Sequence, residues 1–336
     1  MSVYEIIRHS DQTTYFARLL GSHGRLRGML DNDDEGEKEA GVFTVLAPTD
    51  AAFRELEGLE RSDGALLAAM LEYHVLEGRC RADELGGAGG TLPTVLAEGE
   101  LGGRRQRVRL AAGRAGGAEV NFYGRVVGSE SNGRNGAVHF IDSVLVPPPR
   151  CAALVGSLPG RLGTFARALR ETGVAEEMRG RGRPGVTVFA PSDEAWEEQL
   201  SAETRGFLFS RAGKAYLTAL VRYHVAEEVL YTDDREEGHR RQVRTLLGGA
   251  DVSVDFGRRD DGARTTRVNG AAAVSVGDVP ARDGVVHVVD GVLLPPARGA
   301  PDGDRSGAGS RISVQGLKRR LGRYVEGGDG IESEEL

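Results

Sequence analysis

Hydrophobic and polar residues follow two regimes along the chain, and the two regimes occur twice in the same order. In residues 15–30, and again in 164–178, apolar positions recur every three or four residues, the spacing of an amphipathic helix. Further along, in 107–146 and 252–294, apolar and polar residues alternate, which is typical of half-buried strands. Each half is therefore predicted to place helices before antiparallel strands, an α+β fold.

Short segments also repeat nearly letter for letter, and their order is the same in both halves. Such ordered repetition indicates tandem domains. With 336 residues the chain is long enough for two cores. We expect domains at 1–149 and 150–297, followed by a separate region at 298–336. The matched segments are "VFTVLAPTDAAF" and "GVTVFAPSDEAW", "LEYHVLEG" and "VRYHVAEE", and "VHFIDSVLVPP" and "VHVVDGVLLPP".

The first repeated segment predicts a strand followed at once by a helix. A short apolar run ends at a proline in each copy, which stops the strand. Thr49 and Ser192 then stand where an N-cap belongs. Asp50 and Asp193 follow in the first helical turn, where the helix dipole favours a negative charge. We interpret these four residues as folding devices.

The second repeated segment places a Tyr-His pair at the end of a helix. Tyr73-His74 and Tyr223-His224 each follow apolar residues at helical spacing. A histidine at the end of an apolar stripe is more often a hydrogen-bonded structural residue than a metal ligand or a base. The pattern alone therefore favours a structural role for both pairs.

The third repeated segment predicts the strand that closes each domain. It contains His139 and Asp142 in the first copy, and His287 and Asp290 in the second. If 138–146 is one unbroken strand, residues three apart point to opposite faces of the sheet. His139 and Asp142 then cannot form a catalytic dyad. We expect both to lie among apolar neighbours in the core.

Composition and motifs argue against several classes of function. A net charge of −7 argues against nucleic-acid binding. Two cysteines, Cys80 and Cys151, exclude a disulfide framework and a cysteine-rich zinc site. Asp50, His74 and His139 are residue types of a hydrolytic or metal centre, but no nucleophile elbow, His-Glu-x-x-His or phosphate-binding loop accompanies them. We expect no enzyme activity, metal or cofactor.

The region after the second domain has a different composition. Residues 297–310 resemble a flexible tether, and an acidic tail ends the chain. Between them, residues 311–325 form an amphipathic pattern with a basic side. This segment either docks a partner or membrane surface, or packs on the second domain. Its apolar side carries Val314, Leu317, Leu321 and Tyr324, and its basic side carries Lys318, Arg319, Arg320 and Arg323.

The three repeated segments resemble the signature blocks of fasciclin-type (fasciclin I-like) domains. The resemblance implies a β-sandwich or wedge flanked by helices, found in tandem on cell-surface, matrix, and fungal wall or vacuolar proteins. It also implies a role in adhesion. In animal relatives the Tyr-His segment is implicated in integrin contact, which nominates Tyr73, His74, Tyr223 and His224 as binding residues here.

We therefore expect a non-enzymatic adhesion or protein-interaction protein whose partner is a protein or a cell-surface or matrix component. The alternative is an intracellular or vacuolar domain pair that binds a small ligand or a glycan. The resemblance places the chain in the secretory pathway, at the cell surface or in the vacuole. The sequence shows no signal peptide and no apolar run long enough to span a membrane, so the cytoplasm stays open as the alternative.

Overall fold

The chain divides into two compact units in the computed structural model. The first contains residues 1–99 and 103–148, and the second contains residues 100–102 and 149–336. The division falls between Pro148 and Pro149, within the proline run that ends the third repeated segment. The structure describes residues 1–31, 41–54, 64–85, 89–113, 117–128, 131–157, 161–180, 184–233, 238–258, 264–296 and 311–325.

The first unit begins with three helices and continues mainly as strands. Its helices are α1 (Val3–His9), α2 (Thr14–Ser22), α3 (Gly24–Asp31), α4 (Asp50–Phe53), α5 (Gly64–Tyr73) and α6 (Ala82–Leu85). Its strands are β1 (Phe43–Pro48), β2 (Val75–Glu77), β3 (Gly90–Ala97), β4 (Arg105–Ala112), β5 (Ala118–Val120), β6 (Gly124–Arg125), β7 (Ser131–Gly133) and β8 (Gly136–Ile141).

The strands of the first unit form one curled sheet in the order β6-β5-β4-β3-β2-β1-β8-β7. A bridge between Val126 and Ile141 links the β6 end of the sheet back to β8. Strand β1 is buried on both faces: Val45 packs with the helices, and Leu46 packs inside the curled sheet. The repeated strand with its terminal proline is thus a central core strand.

The second unit repeats this plan. Its helices are α7 (Cys151–Gly156), α8 (Gly163–Thr172), α9 (Val174–Glu177), α10 (Asp193–Gln199), α11 (Ala202–Leu208), α12 (Lys214–Tyr223) and α13 (Val314–Val325). Its strands are β9 (Val186–Pro191), β10 (Val225–Ala226), β11 (Arg240–Arg244), β12 (Asp251–Arg258), β13 (Arg264–Val268), β14 (Ala272–Ala281) and β15 (Gly284–Val289). They pair in the order β10-β9-β15-β14-β13-β12-β11.

Two curled sheets flanked by helices confirm the α+β prediction. The strands are not all antiparallel, however. Strand β1 runs parallel to β8, and β9 runs parallel to β15, while the remaining described pairs are antiparallel. Each parallel pair joins the first and third repeated segments side by side. Parallel strands are usually buried on both faces, which explains why the paired strands are mainly apolar.

The C-terminal segment belongs to the second unit. Helix α13 packs on α11 and α12, and Leu317 and Leu321 are fully buried in the core of that unit. The Ile312 backbone bonds to Gln199 O and to the Thr204 hydroxyl. Of the two interpretations of 311–325, these contacts support packing on the second domain, and the docking of a partner stays a prediction. The predicted tether and the acidic tail lie outside the described residues.

Among the described residues, no helix combines the length and the apolar character needed to cross a membrane. The longest described helix is α13, which has twelve residues.

Shortening a buried leucine of α13 should destabilise the second unit. We expect Leu317→Ala to cost about 2–4 kcal/mol, since it leaves a cavity in the core. Trp196 is the chain's one tryptophan and is buried in this unit, so its fluorescence reports unfolding there. The matched control is the exposed Arg319→Ala on the same helix, expected within about 0.5 kcal/mol of the wild type. Equal urea midpoints for the two variants would contradict the docking.

Candidate functional site

The histidine of each Tyr-His pair joins the end of a helix to the segment after the closing strand. His74 follows the last residue of α5, and its Nδ1–H donates to Met70 O at 2.7 Å. Its Nε2 accepts from Leu145 N at 2.9 Å. The second copy repeats both bonds, from His224 Nδ1 to Leu220 O at 2.8 Å and from Leu293 N to His224 Nε2 at 2.9 Å. Both ring nitrogens are thus committed to the backbone.

The tyrosine of each pair joins the same helix end to a hairpin turn. The Tyr73 hydroxyl donates to Arg107 O at 2.9 Å and accepts from Asn121 Nδ2 at 2.9 Å. The Asn121 Oδ1 in turn accepts from Arg109 N. The second copy has the same network, formed by Tyr223 with Asp251 O and Asn269, and by Asn269 with Ser253 N.

The sequence patterns did not predict the hydrogen bonds that the two asparagines make to the tyrosines. Asn269 was recognisable as the start of an Asn-Gly hairpin turn, and it does have a left-handed φ of 54°. Asn121 has the same conformation, with φ of 51°. Their hydrogen bonds to tyrosine hydroxyls cross 48 and 46 residues. The available signal was the identical Val-Asn dipeptide at matching places in both copies.

Burial sets the charge state of these side chains. Desolvation lowers the pKa of His74 and of His224 from 6.5 to about 4, although the helix carbonyl opposes this. Desolvation also raises the pKa of Tyr223 to about 12. The imidazoles are therefore neutral and the phenol is protonated near pH 7, the states that their hydrogen bonds require.

The four Tyr-His side chains have at most 1% of their surface exposed. A partner could touch them only if the domain opened. Their assignment as binding residues stays a prediction, and their geometry supports a different role. They fix the positions of two surface segments, the hairpin turn and the residues after the closing strand.

Asp50 and Asp193 begin helices α4 and α10, as expected, but each carboxylate serves another helix. Asp50 accepts from Tyr15 N at 2.9 Å and from the backbone and hydroxyl of Thr14, at the start of α2. Asp193 likewise accepts from Gly163 N and Thr164 N, at the start of α8. Partial burial opposes ionisation, yet these bonds lower the pKa of Asp50 below its ordinary value.

The two predicted N-caps differ between the copies. The Ser192 hydroxyl accepts from Ala195 N at 3.2 Å, which is the predicted capping bond. Thr49 stands at the same place before α4, but its side chain makes no capping bond.

The histidines of the closing strands bond to backbone carbonyls. His139 Nε2 donates to Cys80 O at 2.8 Å, and His287 Nε2 donates to Leu230 O at 2.8 Å. His287 Nδ1 also accepts from Asp278 N. Both side chains are buried, as expected of core positions.

The strand expected over 138–146 is shorter, so the placement of Asp142 in the apolar core was wrong. Strand β8 ends at Ile141, and Asp142 lies beyond it, partly exposed. It accepts from Arg125 N at 2.8 Å and pairs with the Arg125 guanidinium. Asp290 lies beyond β15 and accepts from Ala273 N at 2.6 Å. The carboxylates therefore attach a neighbouring strand and do not meet the histidines.

The candidate hydrolytic residues are not brought together. Asp50, His74 and His139 each bond to separate backbone groups. Within the described stretches, no three His, Cys, Asp or Glu side chains form a group that could hold a metal ion. Cys80 and Cys151 form no disulfide, and burial raises the pKa of the Cys151 thiol.

Together these contacts define a scaffold built from two copies of one α+β domain, each fastened by a buried Tyr-His-Asn network. A family model for the fasciclin domain matches residues 11–147 and again residues 160–295. The chain belongs to the fasciclin domain family and carries the domain twice.

Several known proteins are similar along much of the chain. Aurofusarin biosynthesis cluster protein S of Gibberella zeae is 25% identical over 97% of this chain and 87% of its own length. The fasciclin-like arabinogalactan protein elcF of Phaeosphaeria nodorum is 28% identical over 79% of this chain and 81% of its length. Human periostin is 28% identical, but the chain spans only 28% of it.

Among solved structures, the FAS1 domain pair of the insect cell adhesion molecule fasciclin I matches 84% of this chain and 96% of its own. The sequence identity is 18% and the TM-score is 0.42.

The buried histidines should make the protein acid-sensitive. With a pKa of 6.5 unfolded and about 4 folded, each histidine binds a proton more readily in the unfolded state. The free energy of unfolding is therefore highest above about pH 6.5. It falls by roughly 3 kcal/mol per histidine as the pH decreases to about 4. We expect the Trp196 unfolding midpoint in urea to fall over this range.

Replacing His224 tests the source of that acid sensitivity. His224→Gln should lower stability at pH 7.5 and flatten the pH dependence of the Trp196 transition. The exposed His239→Gln in the same unit is the control and should keep the wild-type profile. An unchanged pH profile in His224→Gln would refute the assignment.

Removing one hydroxyl should weaken the network without disturbing the packing. Tyr223→Phe leaves Asn269 Nδ2 and Asp251 O without their partner, so we expect a loss of about 1–3 kcal/mol. Tyr216→Phe is the matched control, because the Tyr216 ring packs on Phe207 and its hydroxyl makes no hydrogen bond to a described residue. It should stay within about 0.5 kcal/mol of the wild type in the same fluorescence assay.

Proposed function

We propose that this chain is a non-enzymatic interaction protein of the adhesion type. In this proposal, two fasciclin domains present surface loops to a protein partner or to a cell-surface or matrix component. The observation that carries it is the commitment of both ring nitrogens of His74 and of His224 to buried backbone groups. An imidazole held in this way has no nitrogen left to transfer a proton or to bind a metal.

The family supports the same conclusion. Fasciclin domains occur in adhesion and matrix proteins. In each domain the Tyr-His network fixes a hairpin turn and the segment after the closing strand. Binding residues in proteins lie disproportionately on loops that a rigid scaffold positions. On this account the Tyr-His motif acts by positioning the loops that make contact.

A second candidate is the binding of a small ligand. It is favoured by the full-length similarity to a protein named for a biosynthesis cluster. The second unit also has an open surface depression of about 350 Å³, a volume within the size range of small-ligand pockets. Its lining mixes Glu171, Arg211 and Lys214 with Phe209 and two leucines, whereas ligand pockets are lined mainly by apolar and aromatic side chains.

We propose that the protein acts in the secretory pathway, at the cell surface or in a vacuole, as the family resemblance implies. The cytoplasm is the alternative. Fractionation of the source cells, followed by detection of the native chain, separates the two.

Purification of the full chain from its source under mild cross-linking distinguishes the two functions. We expect a protein partner to co-purify reproducibly at a fixed ratio, identified by mass spectrometry. An unrelated bait of the same net charge is the control for electrostatic capture. Recovery of one small molecule at a fixed ratio, with no protein partner, would instead support the second candidate.

A further inference from the structure

The two domains can be matched residue by residue around the hairpin turn, because both make the same hydrogen bonds there. The asparagine that begins the turn accepts from β4 in the first copy and from β12 in the second. The tyrosine hydroxyl and the carboxylate beyond the closing strand provide two more fixed points. By these bonds, Arg107, Arg109 and Arg125 correspond to Asp251, Ser253 and Ala273.

The surface at these matched positions differs sharply in charge. Three arginines of the first copy stand where the second copy has an aspartate, a serine and an alanine. At these three positions the first copy carries four more positive charges than the second, and the matched pair Glu119 and Arg267 offsets two of them. The shared hydrogen bonds use only the backbone of these residues, so they do not depend on the arginine side chains. The guanidinium groups add bonds of their own, from Arg107 to Thr91 and from Arg125 to Asp142.

The second residue of the turn also differs between the two copies. Asn121 is followed by Phe122, whereas Asn269 is followed by Gly270. Both second residues are left-handed, with φ of 69° and 67°. This conformation suits glycine and strains a bulky side chain. Strained backbone is often kept at functional sites. Because the Phe122 ring is exposed, we infer that it serves binding and not the stability of the fold.

Three apolar side chains of the first copy are exposed in this region. Phe122, Tyr123 and Val146 expose 44%, 49% and 47% of their surface. The Arg109 guanidinium stacks over the Phe122 ring at 4.2 Å. In the second copy, Ala271 replaces Tyr123, and Leu294, which matches Val146, is buried. We call Arg109, Phe122, Tyr123 and Val146 the aromatic turn patch.

The patch favours a protein partner over a glycan. The Tyr123 hydroxyl already accepts from Val146 N at 3.2 Å, so a partner would contact mainly the apolar ring of Tyr123. Phe122 and Val146 have no polar atoms for sugar hydroxyls. Exposed aromatic side chains beside arginine are the residue types that dominate the binding energy of protein interfaces. The surrounding arginines complement carboxylates.

We propose that the aromatic turn patch is the docking surface of the first domain for an acidic protein segment. An apolar side chain of that segment packs on Phe122 and Tyr123, and its carboxylates face Arg109 and Arg125. The Tyr73-Asn121 and His74-Leu145 bonds hold the two parts of the patch in place. This inference rests on the proposed interaction function and assigns it to one domain.

The test uses a displayed library of random twelve-residue peptides, selected on the full chain. Each selected peptide is then titrated against the wild type and against Arg109→Ser/Phe122→Gly/Tyr123→Ala, which installs the residues of the second copy. We expect selected peptides to combine Asp or Glu with Leu, Ile or Phe, and to lose at least tenfold in affinity for the variant. The thermal midpoint of the variant should stay within about 4 °C of the wild type, because glycine relieves the left-handed strain while the Val146 N bond to Tyr123 is lost.

The matched control is Arg267→Ser, an exposed arginine on the second copy's equivalent surface, which should bind the peptides as the wild type does. Acidic peptides that bind the triple variant equally would overturn the patch while leaving the interaction function standing. Neutral or basic peptides, or no enrichment at all, would overturn the assigned chemistry. Polygalacturonate, an acidic glycan, should bind the wild type and the triple variant equally. If it bound only the wild type, and no peptide did, the proposal would also be overturned.

Discussion

Each domain depends on one buried imidazole that satisfies a helix carbonyl and a strand-end amide at once. Without it, the last turn of α5 or α12 and the segment after the closing strand would each leave a buried polar group unpaired. The neighbouring tyrosine joins the same helix end to the hairpin turn through its bond to the asparagine. A dipeptide at the end of a helix thereby holds together parts of the domain that are distant in sequence.

Local patterns were sufficient to predict the duplicated α+β plan, the strand that ends at a proline, and the helix that ends in Tyr-His. What they missed depends on contacts distant in sequence. Asp50 caps a helix 35 residues earlier, and no periodicity encodes that pairing. Asp142 was misplaced because apolar residues continue past the point where β8 stops pairing. The segment 311–325 allowed two interpretations, and only its contacts with α11 and α12 support one of them.

Duplication provides an internal reference for separating fold from function. Positions that keep the same bonds in both copies, such as Asn121 and Asn269, are required by the scaffold. Where the hydrogen bonds are the same but the residue type differs, as at Phe122 and Gly270, the side chain can serve a function that only one domain has. The two domains therefore share an architecture but differ in the surface around this turn.

Helix α13 also has a consequence for how the protein is made. Chains emerge from the ribosome in order, and domains generally fold as units. The first unit has all its elements by Pro148, whereas the core of the second includes Leu317 and Leu321. During translation, part of the apolar surface of the second domain stays uncovered until these residues emerge, and transiently exposed apolar surface of this kind favours aggregation.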